Sequence, residues 1–113
     1  MHEYSIVGAL IEQIEQIAKD NDAYEITKVV IKIGAMSGVE PELLQIAFDT
    51  FKEKTVCDSA ILEIELEPII IKCLSCSEST VADKIRYRCP KCSSNEVQID
   101  GSSEMLLLNL EAK

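Results

Sequence analysis

The sequence of 113 residues contains a single histidine, His2. Acid–base chemistry that depends on a second histidine is therefore excluded. The sequence also lacks a glycine-rich phosphate loop of the form GxxxxGK. Because no constellation of side chains suits catalysis, we predict that the protein is not an enzyme.

Basic residues are also scarce, since 11 Lys and Arg stand against 20 Asp and Glu, a net charge of -9. Nucleic-acid binding depends on Lys and Arg contacts to phosphate, so no nucleic-acid partner is predicted. No run of about 18 apolar residues is present to span a membrane. The N-terminus has no basic region typical of an export signal, so a cytoplasmic location is predicted.

The charge is unevenly distributed along the chain. Residues 72–100 hold five basic and four acidic residues, whereas the remainder holds six basic and 16 acidic residues. An acidic body attracts cations or a basic partner surface, although solubility accounts for most such excesses.

Four of the five cysteines are spaced as Cys73-x2-Cys76-x12-Cys89-x2-Cys92. Two such pairs supply the four thiolates of a tetrahedral structural zinc site. Disulfides would need an oxidising compartment, a redox dithiol explains only one of the pairs, and iron also accepts four thiolates. We predict zinc, and we interpret Cys57 as a partly buried free thiol.

The periodicity of apolar residues predicts two helices. Apolar residues recur at helical spacing from Ser5 to Asn21. A second helix begins at Pro41, with Glu40 at or next to its N-cap. Its predicted buried stripe comprises Leu43, Leu44, Ala47, Phe48 and Phe51.

Alternation of apolar and polar residues predicts three strands, at 26–33, 61–66 and 105–110. The inward residues of the last two are Leu62, Ile64, Leu66, Leu106, Leu108 and Leu110. Because the last strand follows the cysteines, it must return to a sheet formed by the earlier ones. The prediction is an α+β fold with two helices on a three-stranded sheet. Residues 1–71 and 101–113 form the body, and residues 72–100 form an inserted zinc-ribbon domain with four cysteine ligands.

The N-terminus has two interpretations from the residues alone. A histidine at this position is commonly a frayed, solvated side chain. Alternatively, the Met1 amine, the following backbone nitrogens and the His2 imidazole wrap one metal ion. Such nitrogen-rich, square-planar sites suit nickel(II) or copper(II).

Three segments together resemble the HypA/HybF family of nickel-insertion factors for hydrogenase maturation. They are the opening MHEYS, the stretch IGAMSGVEPELL from Ile33 to Leu44, and the two CxxC pairs. The resemblance covers essentially the whole chain.

The resemblance implies two metal sites. His2 is the expected nickel ligand, joined by main-chain nitrogen at Met1 and Glu3. Glu40 occupies an acidic position that could supply a carboxylate, although a carboxylate there also favours the helix dipole. The expected zinc ligands are Cys73, Cys76, Cys89 and Cys92.

The function implied by the resemblance is that of a nickel metallochaperone. Such a protein receives nickel, docks with a HypB-type nickel GTPase and serves the large subunit of [NiFe]-hydrogenase and, in some organisms, urease and its accessory proteins. One departure is that Ser77 and Ser93 follow the cysteine pairs where some members have histidine, so we expect no exchange of zinc ligands to histidine. The alternative functions are a zinc-ribbon interaction adaptor that never handles nickel and a small iron electron carrier.

Overall fold

The computed structural model describes residues 2–82 and 85–113, with His2 described by its backbone alone. The elements in chain order are helix α1 (His2–Asp20), strand β1 (Ile26–Gly34), helix α2 (Pro41–Phe51), and strands β2 (Ile61–Glu67), β3 (Ile69–Cys73), β4 (Ser79–Ala82), β5 (Val97–Asp100) and β6 (Met105–Ala112). They form two three-stranded sheets, of order β2-β1-β6 and β4-β3-β5.

The predicted α+β class, with two helices and a three-stranded sheet, is confirmed. Strand β6 returns to pair beside β1, as the position of its apolar residues after the cysteines required. Helix α1 begins at His2 rather than at Ser5, so it includes the HE of the MHE segment. Neither helix among the described residues has both the length and the apolar character needed to cross a bilayer.

The described residues fall into two compact units. The first runs from the N-terminal helix to Ile31 and adds Val39–Glu65 and Leu106–Lys113. Its interior contains one face of each helix and the face of β1 opposite its lysines. The fully buried side chains there include Val7, Ile14, Val29, Ile31, Leu44, Phe48 and Cys57.

Cross-strand ion pairs cover the other face of the first sheet. Lys28 on β1 lies 3.6 Å from Glu63 on β2 and 3.8 Å from Glu111 on β6. This placement puts the β1 lysine and the β2 glutamate on the face of the sheet opposite the fully buried Val29 and Ile31 side chains of β1. Each such exposed ion pair contributes about 0–1 kcal/mol to the free energy of unfolding. These cross-strand pairs therefore favour the strand register more than they stabilise the sheet.

The prediction of the inward residues was wrong at several positions. Leu43 and Phe51 of α2 are 46% and 45% exposed, and only Leu44, Ala47 and Phe48 of the stripe are buried. Periodicity predicted the correct buried face of α2 but included residues at the edges of that face, which are exposed. On the strands, Leu66, Leu106 and Leu108 are also about half exposed.

The second unit comprises Lys32–Gly38 and Leu66–Met105. Its sheet is antiparallel, with Ile69 opposite Ala82 on one side of β3 and Cys73 opposite Val97 on the other. The sequence did not predict this sheet. Gly34 packs so tightly against the Ser102 backbone that a Cβ there would collide with its carbonyl, and the Met36 N–H donates to the Ser102 oxygen at 3.0 Å.

Because the Cys57 thiol is buried, we predict that the stability of the fold decreases at alkaline pH. Burial raises the pKa of its thiol from 9.0 to about 11, and the Glu15 carboxylate adds to the rise. Below pH 9 the thiol is protonated in both the folded and unfolded chains. Between pH 9 and 11 the unfolded chain loses the proton first, so folding stability falls by about 1.4 kcal/mol per pH unit from this group.

We therefore expect the stability of Cys57→Ala to fall less steeply than that of the unsubstituted protein between pH 9 and 11. Urea unfolding followed by circular dichroism at each pH measures the difference. Parallel curves for the two proteins over this range would contradict the prediction.

Candidate metal sites

The four spaced cysteines lie on two matching turns. Strand β3 ends at Cys73, and the Ser77 N–H closes the turn by donating to the Cys73 carbonyl at 3.1 Å. The second turn repeats this bond, from the Ser93 N–H to the Cys89 carbonyl at 2.9 Å. Both serines have a φ of 62°, the left-handed conformation that favours glycine.

These turns bring all four sulfur atoms together. The Sγ atoms of Cys73 and Cys92 are 3.5 Å apart, and those of Cys76 and Cys89 are 3.7 Å apart. All four lie within 4.8 Å of one another. Zn–S bonds of about 2.3 Å at tetrahedral angles separate sulfur atoms by about 3.8 Å. The donor set and its spacing therefore fit zinc.

Backbone N–H groups favour the thiolate at the first cysteine of each pair. The Cys76 N–H donates to the Cys73 sulfur at 3.4 Å, and this bond is the main reason that the Cys73 pKa falls to about 6. Backbone N–H groups of Cys92 and Lys91 likewise lower the pKa of Cys89. A bound divalent cation would complete the deprotonation of the set.

The second cysteine of each pair shows the opposite shift. The Glu78 N–H lowers the pKa of Cys76, but burial and the neighbouring sulfur atoms outweigh it and raise the pKa to about 12. The pKa of Cys92 is raised as well, since the Cys73 sulfur and burial outweigh the Ser94 N–H. Because the four thiols are so close, they titrate as one coupled group, and a bound cation would displace their protons.

Two polar contacts join the turns in addition to the sulfur atoms. The hydroxyls of Ser75 and Ser94 are hydrogen bonded at 2.8 Å. Lys91 Nζ lies 3.2 Å from a carboxylate oxygen of Glu78, with both side chains more than half exposed. Sequence reasoning missed both contacts. The serines beside the second cysteine of each pair, in SCS (75–77) and CSS (92–94), were the only sequence signal for a contact between the turns.

Cys57 is separate from this cluster. It is a free cysteine, fully buried in the first unit, and it is not part of the metal-ligand group found among the described residues. The expected free thiol is therefore present, but it is more deeply buried than the sequence suggested.

Two of the candidate nickel residues, Glu3 and Glu40, lie at the start of the two helices. Met1 and the His2 side chain lie outside the described residues, and the His2 backbone forms the first residue of α1. Glu3 is 9% exposed, and its Oε2 accepts a hydrogen bond from the Glu40 N–H at 3.3 Å. The structure thus brings Glu3 and Glu40 together, although they are 37 residues apart.

Glu40 is the N-cap of α2 and precedes Pro41 at the first helical position, as predicted. Its side chain makes no capping hydrogen bond and is exposed. The Glu40 carboxylate is therefore available to a ligand, whereas the Glu3 carboxylate is engaged with the backbone. That Met1, His2, Glu3 and Glu40 bind nickel stays a prediction.

Comparison with known proteins matches the chain along nearly its whole length. A family described as hydrogenase/urease nickel incorporation, metallochaperone, hypA matches residues 1–112. The chain is 52% identical to a hydrogenase maturation factor HypA of Shewanella oneidensis, over 98% of this chain and 94% of that protein. It is 46% identical to that of Aquifex aeolicus, over 98% and 96%.

A solved structure resembles the whole fold. It is the solution structure of the Ni metallochaperone HypA from Helicobacter pylori, with a TM-score of 0.65 and 40% sequence identity. The likeness covers 97% of this chain and 96% of that one.

The four-cysteine cluster predicts that the second unit depends on its metal. We expect one zinc ion per chain, and we expect Cys73→Ala to lose both the metal and the local order around β3 to β5. Structural zinc contributes roughly 10–16 kcal/mol to folding in small peptides, so little else in this region would replace it. Metal analysis and amide NMR spectra measure the two effects.

Cys57→Ser is the matched control, because it removes a thiol outside the cluster. It should retain zinc in full, and the helices of both variants should persist. Full zinc occupancy in Cys73→Ala would refute the four-thiolate assignment.

Proposed function

This chain belongs to the HypA family of hydrogenase/urease nickel-incorporation metallochaperones, and we propose that it binds nickel at its N-terminus and delivers the ion for [NiFe]-hydrogenase maturation. The observation that carries the proposal is the family match over residues 1–112, which takes in the N-terminal helix and the cysteine cluster. The relatives that match nearly end to end are described as hydrogenase maturation factors.

The proposed nickel ligands are the Met1 amine, the His2 imidazole and the backbone nitrogens of His2 and Glu3. Helix α1 begins at His2, and the first N–H groups of a helix have no carbonyl partner within it. Nickel ligation through these nitrogens therefore breaks no helical hydrogen bond. A nitrogen-rich, square-planar site of this kind suits nickel(II).

Glu40 is proposed as a further, weaker ligand. Its carboxylate is exposed at the start of α2, and its own N–H is hydrogen bonded to Glu3, the residue that follows His2 in the chain. A single carboxylate adds one bond, whereas the imidazole closes chelate rings with the main chain. Loss of the His2 side chain should therefore lower the nickel affinity more than loss of the Glu40 side chain.

The two metals are proposed to have different roles. Zinc on Cys73, Cys76, Cys89 and Cys92 is structural and permanent, because four thiolates close the site. Nickel at the chain terminus leaves by ligand exchange, as delivery requires. We retain the predicted division into a nickel-binding domain of residues 1–71 and 101–113 and a zinc-ribbon domain of residues 72–100.

The proposed partners are those of the family resemblance. They are a HypB-type nickel GTPase, the large subunit of [NiFe]-hydrogenase and, where urease is a client, urease accessory proteins. We propose no nucleic-acid or membrane partner and no catalytic activity. A cytoplasmic location suits five unpaired cysteines, because reducing compartments keep thiols free. The adaptor alternative is not favoured, since the family description names nickel incorporation.

The nickel site predicts a strict requirement for the N-terminal residues. In protein prepared with Met1 first, we expect His2→Ala to abolish nickel binding or weaken it strongly. A few residues added before Met1 should alter binding, because they convert the amine to an amide. Isothermal titration with Ni²⁺ of zinc-loaded protein measures each affinity.

Two controls accompany this titration. Glu40→Ala should weaken nickel binding less than His2→Ala, and a tag after Lys113 should leave it unchanged. Zinc content should be constant throughout, since its ligands belong to a separate cluster. Equal nickel affinity in the native protein and in His2→Ala would end the proposed mechanism.

In cells, deletion of the protein should lower [NiFe]-hydrogenase activity, and excess nickel in the medium should partly restore it. The reason is that a lost delivery step is bypassed by a higher concentration of the free ion. Hydrogenase assays with and without added nickel measure the effect. Normal activity in a deletion strain without a paralogue would favour the adaptor function instead.

A further inference from the structure

Glu3 is the only charged residue that is buried among those the structure describes, with 9% of its surface exposed. Removing a carboxylate from water is costly unless donors replace the lost hydration. The burial of Glu3 therefore calls for a specific partner.

The partner is the start of helix α2. Oε2 of Glu3 accepts the Glu40 N–H at 3.3 Å, and the N-cap position of Glu40 places the carboxylate at the positive end of the helix dipole. The side chain of Glu40 makes no cap bond of its own. Glu3 thus accepts from α1 the N-cap N–H that a Glu or Gln at the third helical position accepts in a capping box, a position that Leu43 occupies here.

The next residue makes a second contact with the same helix. The ring of Tyr4 meets the ring of Phe51 edge to face, with centroids 5.1 Å apart and planes at 79°. Such pairs contribute about 0.5–1.5 kcal/mol beyond their buried area. The two residues that follow His2 are therefore held at opposite ends of α2, which orients the first turn of α1.

We propose that the Glu3 carboxylate is a positioning group for the nickel site rather than a nickel ligand. It holds the main chain at residues 2 and 3 beside Glu40, so that the chelating nitrogens and the Glu40 carboxylate face one ion. This inference rests on the proposed N-terminal nickel site. In this inference the Glu3 backbone nitrogen binds the metal, and the Glu3 side chain binds the backbone of Glu40.

Substitution of Glu3 by glutamine separates the two roles. A glutamine amide oxygen still accepts the Glu40 N–H, but a neutral amide is a poor replacement for a carboxylate ligand. We expect Glu3→Gln to bind Ni²⁺ within about threefold of the unsubstituted protein, and Glu3→Ala to bind at least tenfold more weakly. Glu12→Ala, which removes an exposed carboxylate from the same helix, is the matched control.

The absorption spectrum of bound nickel supplies a readout that a change in stability alone would not move. At saturating Ni²⁺, the ligand-field bands of Glu3→Gln should match those of the unsubstituted protein, because the donor atoms are the same. A band shift in Glu3→Gln, or an affinity loss there equal to that in Glu3→Ala, would overturn the positioning role. Should Glu3→Ala fail to fold, Glu3→Gln still decides whether the carboxylate is a ligand, and Glu3→Leu, which removes the acceptor but suits a buried position, replaces Glu3→Ala in the affinity comparison.

A double-mutant comparison tests the geometric part of the inference. If Glu3 holds Glu40 beside the ion, Glu40→Ala should weaken nickel binding in the native background and have little effect in Glu3→Ala. Equal effects in both backgrounds would contradict the proposal.

His2→Ala, titrated in the same series, distinguishes the two levels of inference. Unchanged nickel affinity in His2→Ala defeats the N-terminal site itself. Loss of affinity in His2→Ala with unchanged affinity in Glu3→Ala defeats only the positioning role of Glu3.

Discussion

The four-sulfur cluster is the constraint on which the second unit depends. Of the described residues between Leu74 and Asp100, only Cys89 is buried. Strands β4 and β5 have four residues each and carry no fully buried side chain. The fully buried apolar side chains of this sheet, Ile69 and Ile71, belong to β3 alone. So small a core does not hold the segments beyond Cys73 by itself. We therefore expect the sulfur atoms and their metal to stabilise those segments, where the backbone accepts two serines in left-handed conformations to complete the turns.

The N-terminal site has the opposite organisation. Its proposed donors are at the first turn of a helix whose remaining length is well packed, with Val7 and Ile14 fully buried. The fold of the first unit does not need nickel, so the ion can arrive and leave without unfolding anything. We therefore expect metal binding to be coupled to folding in the cysteine-containing unit and uncoupled from it at the proposed N-terminal site. Those are the properties expected of a permanent ion and of a cargo.

Features encoded by short sequence periods were predictable, and those created by tertiary contact were not. Cysteine spacing predicted the metal cluster, and Pro41 with Glu40 predicted the start of α2. The strands Ser79–Ala82 and Val97–Asp100 were missed because four residues with weak alternation resemble loops, and only pairing with β3 makes them strands. The exposure of Leu43 reflects which side of α2 has a neighbour, which periodicity does not specify. The contact between Glu3 and Glu40 spans 37 residues and has no local signal.

Two different metals on one small chain, as proposed here, would be separated by the geometry of the two sites rather than by affinity alone. Affinity alone does not exclude nickel from the four-cysteine site. In the general affinity order of divalent metals, nickel stands just below copper and binds N, O and S donors strongly. Four sulfur atoms within 4.8 Å impose a tetrahedral arrangement that zinc accepts without preference. The proposed N-terminal donors, consecutive nitrogens and one imidazole, favour the planar arrangement that suits nickel. Under this proposal, the contacts of Glu3 and Tyr4 with α2 contribute to metal selectivity, because a planar site discriminates between metals only while its donors are held in place.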